Sequence, residues 1–168
     1  MVWVSCWLSF VSLSEARGYN LSEYKRVIGK RESRGNYKAK NTLGYLGKYQ
    51  LGKSALIDIG YINKKGRWLG KFGVTTERIF LNSNKVQELA MDEYTYNNMK
   101  YLRRKGTLKY VGTKFKGILI TKAGLLASAH LIGAGDTNRM LRTGRIIRDA
   151  YGTLATEYLR IAQNIKID

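Results

Sequence analysis

Apolar positions recur at intervals of three and four along most of the chain, the period of a helix with one buried face, and clean apolar–polar alternation is scarce. Leu21, Tyr24, Val27 and Ile28 form the first such stripe, and Glu32 extends it from Ile28. Asn20 and Glu23 have the spacing of a capping box and Gly35 is a natural stop, which predicts a helix carrying Glu32 in its last turn. Gln50 to Ile59 reads as a second helix, with Leu51, Ala55, Leu56 and Ile59 inward and Gly60 at its end. Thr75 or Thr76 is placed to cap a short helix closing near Leu81. The longest candidate, Asn84 to Arg104, is apolar or aromatic on more than one face and is expected to be the central helix. Thr121 is expected to cap a helix from about Lys122 to Ile132, ended by Gly133-Ala134-Gly135, with short helices near Asp136 to Leu141 and Thr153 to Ala162.

Two stretches escape this period. Residues 60 to 75 set Gly60, Gly66, Gly70 and Gly73 around Trp68 and Phe72, a loop or short β excursion, and residues 106 to 120 form a loop with no assigned structure. The expected fold class is therefore mainly α, one domain with minimal β. A length of 168 residues suits one domain with a core of its own.

Charge changes the picture more than composition does. Thirty Lys plus Arg against twelve Asp plus Glu give +18, a field that concentrates any polyanion: nucleic acid, anionic lipid or an acidic wall polymer. The basic residues are spread through the chain and coat a globule; they do not form a basic tail. No recognised nucleic-acid-binding motif is present. One Cys and one His leave no internal disulfide and no legible metal site, and no cofactor is expected.

Residues 1 to 16 are apolar, too short for a comfortable membrane span, and end with Ser14 and Ala16 at the positions before a cut ahead of Arg17. They read as a signal peptide, with 17–168 as the mature domain, secreted or periplasmic and monomeric. No Lys or Arg precedes the apolar core, as the usual leader would have, and a buried N-terminal segment is the alternative.

The candidate chemistry gathers at Arg31-Glu32-Ser33-Arg34-Gly35-Asn36-Tyr37 and the following Gly47-Lys48-Tyr49-Gln50. The carbonyl end of a helix carries partial negative charge, so a carboxyl there, once desolvated, is expected to have a raised pKa and to serve as a general acid. The competing reading is a surface Glu32 paired with Arg31 or Arg34. Tyr37 and Tyr45 are placed to stack on a sugar or to cover the core. Asp58 reads as structural, and Glu88, Asp92 and Glu93 as solvated or salt-bridged acids in so basic a chain.

Glu32-Ser33, Gly47-Lys48-Tyr49-Gln50 and Leu126-Ala127-Ser128-Ala129-His130-Leu131-Ile132-Gly133-Ala134-Gly135 resemble, in order, the three motifs of the lysozyme-like lytic transglycosylases, roughly E-S, G-L-M-Q and A-Y-N-A-G. Residues 44 to 61 are similar to the G-R-Y-Q variant of phage-type muramidases. The resemblance covers about residues 20 to 160, with His130 where the family usually has Tyr and Leu131 where it has Asn.

It implies a lysozyme-like catalytic domain that cuts the β-1,4 bond between N-acetylmuramic acid and N-acetylglucosamine in peptidoglycan. Glu32 would be the acid, Ser33 would orient it, Tyr49 would shape the pocket, and Gln50 and His130 would contact sugar. The implied partners are peptidoglycan glycan strands and other acidic cell-wall polymers. No specific nucleic acid and no stable membrane span are implied. Two alternatives stand: a hydrolytic muramidase using a second acid such as Asp58 or Asp92, and a non-catalytic cationic module that binds polyanions.

Overall fold

The computed structural model describes residues 21–167, so the expected leader and Asn20 lie outside the described residues. Helix α1, Ser22–Ser33, buries Tyr24 and Ile28. Leu21 occupies the cap position and the Glu23 carboxylate is engaged by Arg26 at 2.7 and 2.8 Å, while the Asn20 half of the expected capping box lies outside the described residues. Its end is as the glycine predicts. Arg34 and Gly35 turn left-handed, at φ 57° and 84°, and their N–H groups close on the carbonyls of Lys30 and Gly29.

Helix α2, Lys53–Asp58, begins later than its apolar pattern suggests. Gln50 is left-handed at φ 47°, and Leu51 pairs with Leu46 across a tight reversal, so neither residue is available to a helix. Gly52 is the N-cap instead. Helix α3, Glu77–Leu81, is capped by Thr76, whose hydroxyl accepts from the N–H of Ile79 at 3.3 Å. Helix α4 spans Asn84–Arg104, as its periodicity predicts.

The stretch from 60 to 75 holds one antiparallel bridge, Ile62 to Trp68, and a 3₁₀ turn at Lys71–Gly73. Residues 106 to 120 fold as a 3₁₀ turn, Thr107–Tyr110, and a small hairpin of β1, Lys114–Phe115, with β2, Ile118–Leu119. Lys116 and Gly117, both at positive φ, make the two-residue connection whose twist suits a hairpin.

Helix α5, Lys122–Thr143, is capped by Thr121, whose hydroxyl accepts from Gly124 at 3.1 Å. Gly133, at φ 80° and ψ 154°, interrupts it in a backbone region essentially closed to other residues. The break keeps its polar groups satisfied: the Thr137 hydroxyl donates to the Gly133 carbonyl at 3.0 Å and lies 2.9 Å from the Ser128 hydroxyl. Helix α6, Ala155–Ala162, completes a mainly helical fold with minimal β.

The most enclosed element is the first half of α5, where every residue from Ala123 to Ala129 is buried. That place was expected for α4. α4 keeps one polar side, whereas α5 is covered by α4 on one flank and α6 on another. Small residues allow the second approach: a Cβ on Gly124 would stand 3.2 Å from the Leu159 carbonyl oxygen of α6.

Candidate active site

Glu32 emerges from the last turn of α1 with its side chain 15% exposed, neither free in solvent nor paired as a surface acid. Arg31 is committed to Glu157 at 2.8 Å, and among the described residues no ion pair joins Glu32 to Arg31 or Arg34, the pairing of the competing surface reading. The Tyr158 hydroxyl, from α6, donates to Glu32 Oε1 at 2.6 Å. His130 Nε2, from α5, lies 3.5 Å from the same oxygen and 3.0 Å from the Tyr49 carbonyl. A carbonyl only accepts, so Nε2 carries the ring hydrogen, while Nδ1 is buried with no hydrogen-bond partner among the described residues.

These neighbours reverse the expected protonation bias. Burial pushes the Glu32 carboxyl up, but hydrogen bonds from His130 and Tyr158 and the Arg31 charge hold it below its ordinary value. The carbonyl end of α1 and burial both favour the neutral carboxyl. The donors that outweigh them arrive from α5 and α6.

The other expected site residues divide. Gln50 faces the same cavity as Glu32, its left-handed backbone turning the side chain beside the tight reversal, where Nε2 donates to the Gly47 carbonyl at 2.9 Å. His130 is on the cavity wall, and it also serves as a brace between Glu32 and the 47–50 segment. Tyr49 does not shape the pocket with its ring: that ring is buried and its hydroxyl donates to Glu88 at 2.7 Å, leaving only its carbonyl toward His130. Ser33 does not touch Glu32 either. Its hydroxyl donates to the Lys48 carbonyl at 2.8 Å, so it ties the end of α1 to the loop that carries Gln50.

That loop is clamped from behind by Gln87 of α4. Its Oε1 accepts the Lys48 N–H at 2.9 Å, and its Nε2 donates to the carbonyls of Tyr37 at 2.9 Å and Phe80 at 3.0 Å. Gly47 is obligatory there, because it has φ 74° and a Cβ would stand 2.0 Å from Gln87 Oε1. Gln87 was not legible as a site residue. A glutamine on a helix reads as solvated until the facing backbone is known.

Glu88, Asp92 and Glu93 are ion-paired, as the basic composition predicts. Glu88 accepts from Tyr37, Tyr49 and Lys48 and pairs with Lys25; Asp92 also pairs with Lys25, and Glu93 with Lys71. Tyr37 is drawn into this cluster, while Tyr45 stays on the cleft wall. Asp58 accepts from Asn97 and Tyr101 and does not line the Glu32 cavity, nor does Asp92, so neither is placed beside Glu32 as a second acid.

The acid that does share the cavity is Asp149, whose Oδ1 accepts the N–H groups of Tyr151 at 3.0 Å and Thr153 at 2.7 Å. It lies in the 144–153 segment, which carries no helical pattern, so sequence offered no signal for it. Tyr158 had one faint signal: a phenol on an otherwise apolar stripe with Ala155, Leu159 and Ala162.

The Glu32 cavity, about 60 Å³, adjoins one of about 260 Å³ between the 45–52 segment and residues 130–133 of α5, with Tyr45, Gln50, His130 and Leu131 lining both. Three separate stretches of sequence thus meet on one cleft: Glu32, Gln50, and His130 with Leu131 and Gly133. Among the described residues no helix is long and apolar enough to cross a membrane, and no group of three or more His, Cys, Asp or Glu side chains is placed to hold a metal. No family model, curated protein or solved structure matches this chain.

Proposed function

We propose that the protein cleaves the β-1,4 bond between N-acetylmuramic acid and N-acetylglucosamine in peptidoglycan, as a lytic transglycosylase with Glu32 as its acid and base. One observation carries the reading: the three motif-like segments, far apart in sequence, supply Glu32, Gln50 and His130 to a single cleft. An oriented carboxylate beside a cleft is what glycosidic cleavage by one acid requires.

The protein's own neighbours hold the carboxyl below its ordinary value, whereas a general acid must be protonated. A sugar seated over Glu32 strips its remaining water, which strengthens the contribution that raises its pKa. Protonated Glu32 then gives its proton to the glycosidic oxygen as the bond from that oxygen to the muramyl C1 breaks. The muramyl 6-hydroxyl attacks C1, its proton passes to the Glu32 carboxylate, and a 1,6-anhydro end results with no water consumed. Tyr158 and His130 hold the carboxylate through both steps, and Gln50 hydrogen-bonds the sugar beside the reacting bond.

A hydrolytic muramidase is favoured by one specific observation, the presence of Asp149 in the Glu32 cavity, since a second carboxylate is what activation of a water requires. A wall substrate places the enzyme outside the cytoplasmic membrane, secreted or periplasmic, with the +18 charge speeding encounter with an acidic polymer. Digestion of purified peptidoglycan, followed by mass spectrometry of the muropeptides, tests the proposal. Anhydro ends are the expected product. Reducing ends transfer the reaction to hydrolysis, and intact peptidoglycan together with salt-dependent binding returns the chain to a cationic polyanion-binding module.

A further inference from the structure

The cleft is lopsided about Glu32. The 260 Å³ cavity shares Ser54, Ala55, Tyr94 and Gly133 with a third, of about 300 Å³, that reaches Asp58, Tyr101 and Lys105. The Glu32 cavity, which shares Tyr45, Gln50, His130 and Leu131 with the 260 Å³ one, is only about 60 Å³, and its remaining lining includes Asn41, Asp149 and Tyr151. The free space beside Glu32 is therefore several-fold smaller toward the 41–45 and 149–153 turns than toward Tyr94 and Asp58.

Two built turns make that wall. Asn41 Oδ1 accepts the N–H groups of Leu43 and Tyr45, each at 3.0 Å, and Asp149 Oδ1 accepts those of Tyr151 and Thr153. The turns are joined by a crossbridge, Thr42 Oγ1 to the Tyr151 hydroxyl at 3.1 Å. Tyr151 is 57% exposed, so the apolar core does not account for the placement of its ring. Its position is set by its own turn and by the residue opposite.

We propose that the Thr42–Tyr151 crossbridge closes the cleft beside Glu32, so that the enzyme takes strand ends and releases short units, and that Tyr151 determines this specificity. The inference rests on the reading of the protein as a glycan-cleaving enzyme. A strand passing through the site in both directions would need the space that Tyr151 occupies. A strand end needs only the long side, toward Asp58.

The test follows product length over time on long, uncrosslinked glycan strands, separated by size and identified by mass, for the wild type, Tyr151→Phe and Tyr151→Ala. Wild type should release disaccharide-sized products from the first time points while the remaining strands shorten gradually. Tyr151→Ala, which removes both ring and bridge, should yield products of intermediate length early, with Tyr151→Phe between the two. Random intermediate lengths from the wild type would overturn the closure. Short products from both the wild type and Tyr151→Ala would overturn the role of Tyr151. No product of any length from the wild type would remove the glycan-cleaving reading itself, and this inference with it, an outcome distinct from a wrong product length.

Discussion

Glu32 and Glu88 stand on opposite sides of the same segment, and Tyr49 touches both systems: its hydroxyl donates to Glu88, and its carbonyl meets the histidine that braces Glu32. Burial does not separate their roles, since the Glu88 side chain, at 29% exposed, is the more accessible of the two. Partners do. Glu88 is occupied by Tyr37, Tyr49, Lys48 and Lys25, and although burial pushes its carboxyl up, those donors bring it down to about 2. Glu32 has an oriented Oε1 and faces a cavity. A saturated carboxylate holds a fold together, whereas one with an oriented oxygen and open space beside it is equipped for proton transfer.

The largest effect that can break this contrast is on activity. Glu32→Gln should lower the cleavage rate by roughly 10²–10⁴-fold, the range for loss of a general acid, while thermal unfolding changes little. Cleavage at the wild-type rate would reassign the chemistry to another residue, with Asp149 first in line.

Glu88→Ala should do the opposite, costing about 2–3 kcal/mol of stability because it leaves Lys48, Tyr49 and Tyr37 without their shared acceptor. Denaturant unfolding as a function of pH checks both size and sign. The folded carboxyl titrates lower than its ordinary 4.5, so its stabilisation is complete above 4.5 and is lost as pH falls toward about 2. The variant should lack that acid limb, and an acid limb of unchanged size would show that Glu88 is not the group that titrates.

Tyr158→Phe is the smallest and sharpest of the three. Removing a hydrogen bond to the charged form of Glu32 should raise its pKa, while loss of the donor that orients Oε1 should cost roughly tenfold in the maximal rate. Since a general acid works when protonated, the alkaline limb of the rate profile should move to higher pH in the variant. A rate loss with no movement of that limb would make Tyr158 a packing residue only.

The local pattern of the chain determined much of this protein. The 3.6-residue stripes, the threonines at 76 and 121 and the glycines at 35 and 133 fix where most helices begin, end or break, because caps and left-handed turns are properties of a few adjacent residues. Glu32 in the last turn of α1 was legible for the same reason. What decided its chemistry lies 98 and 126 residues away in sequence: His130 and Tyr158 come from other helices, and their donors reverse the pKa shift that α1 alone implies. The destination of Tyr49, the clamp formed by Gln87 and the arrival of Asp149 were likewise settled only by tertiary structure. A side chain's hydrogen-bond partner depends on which backbone is brought against it, and no periodicity along one segment encodes the packing of another.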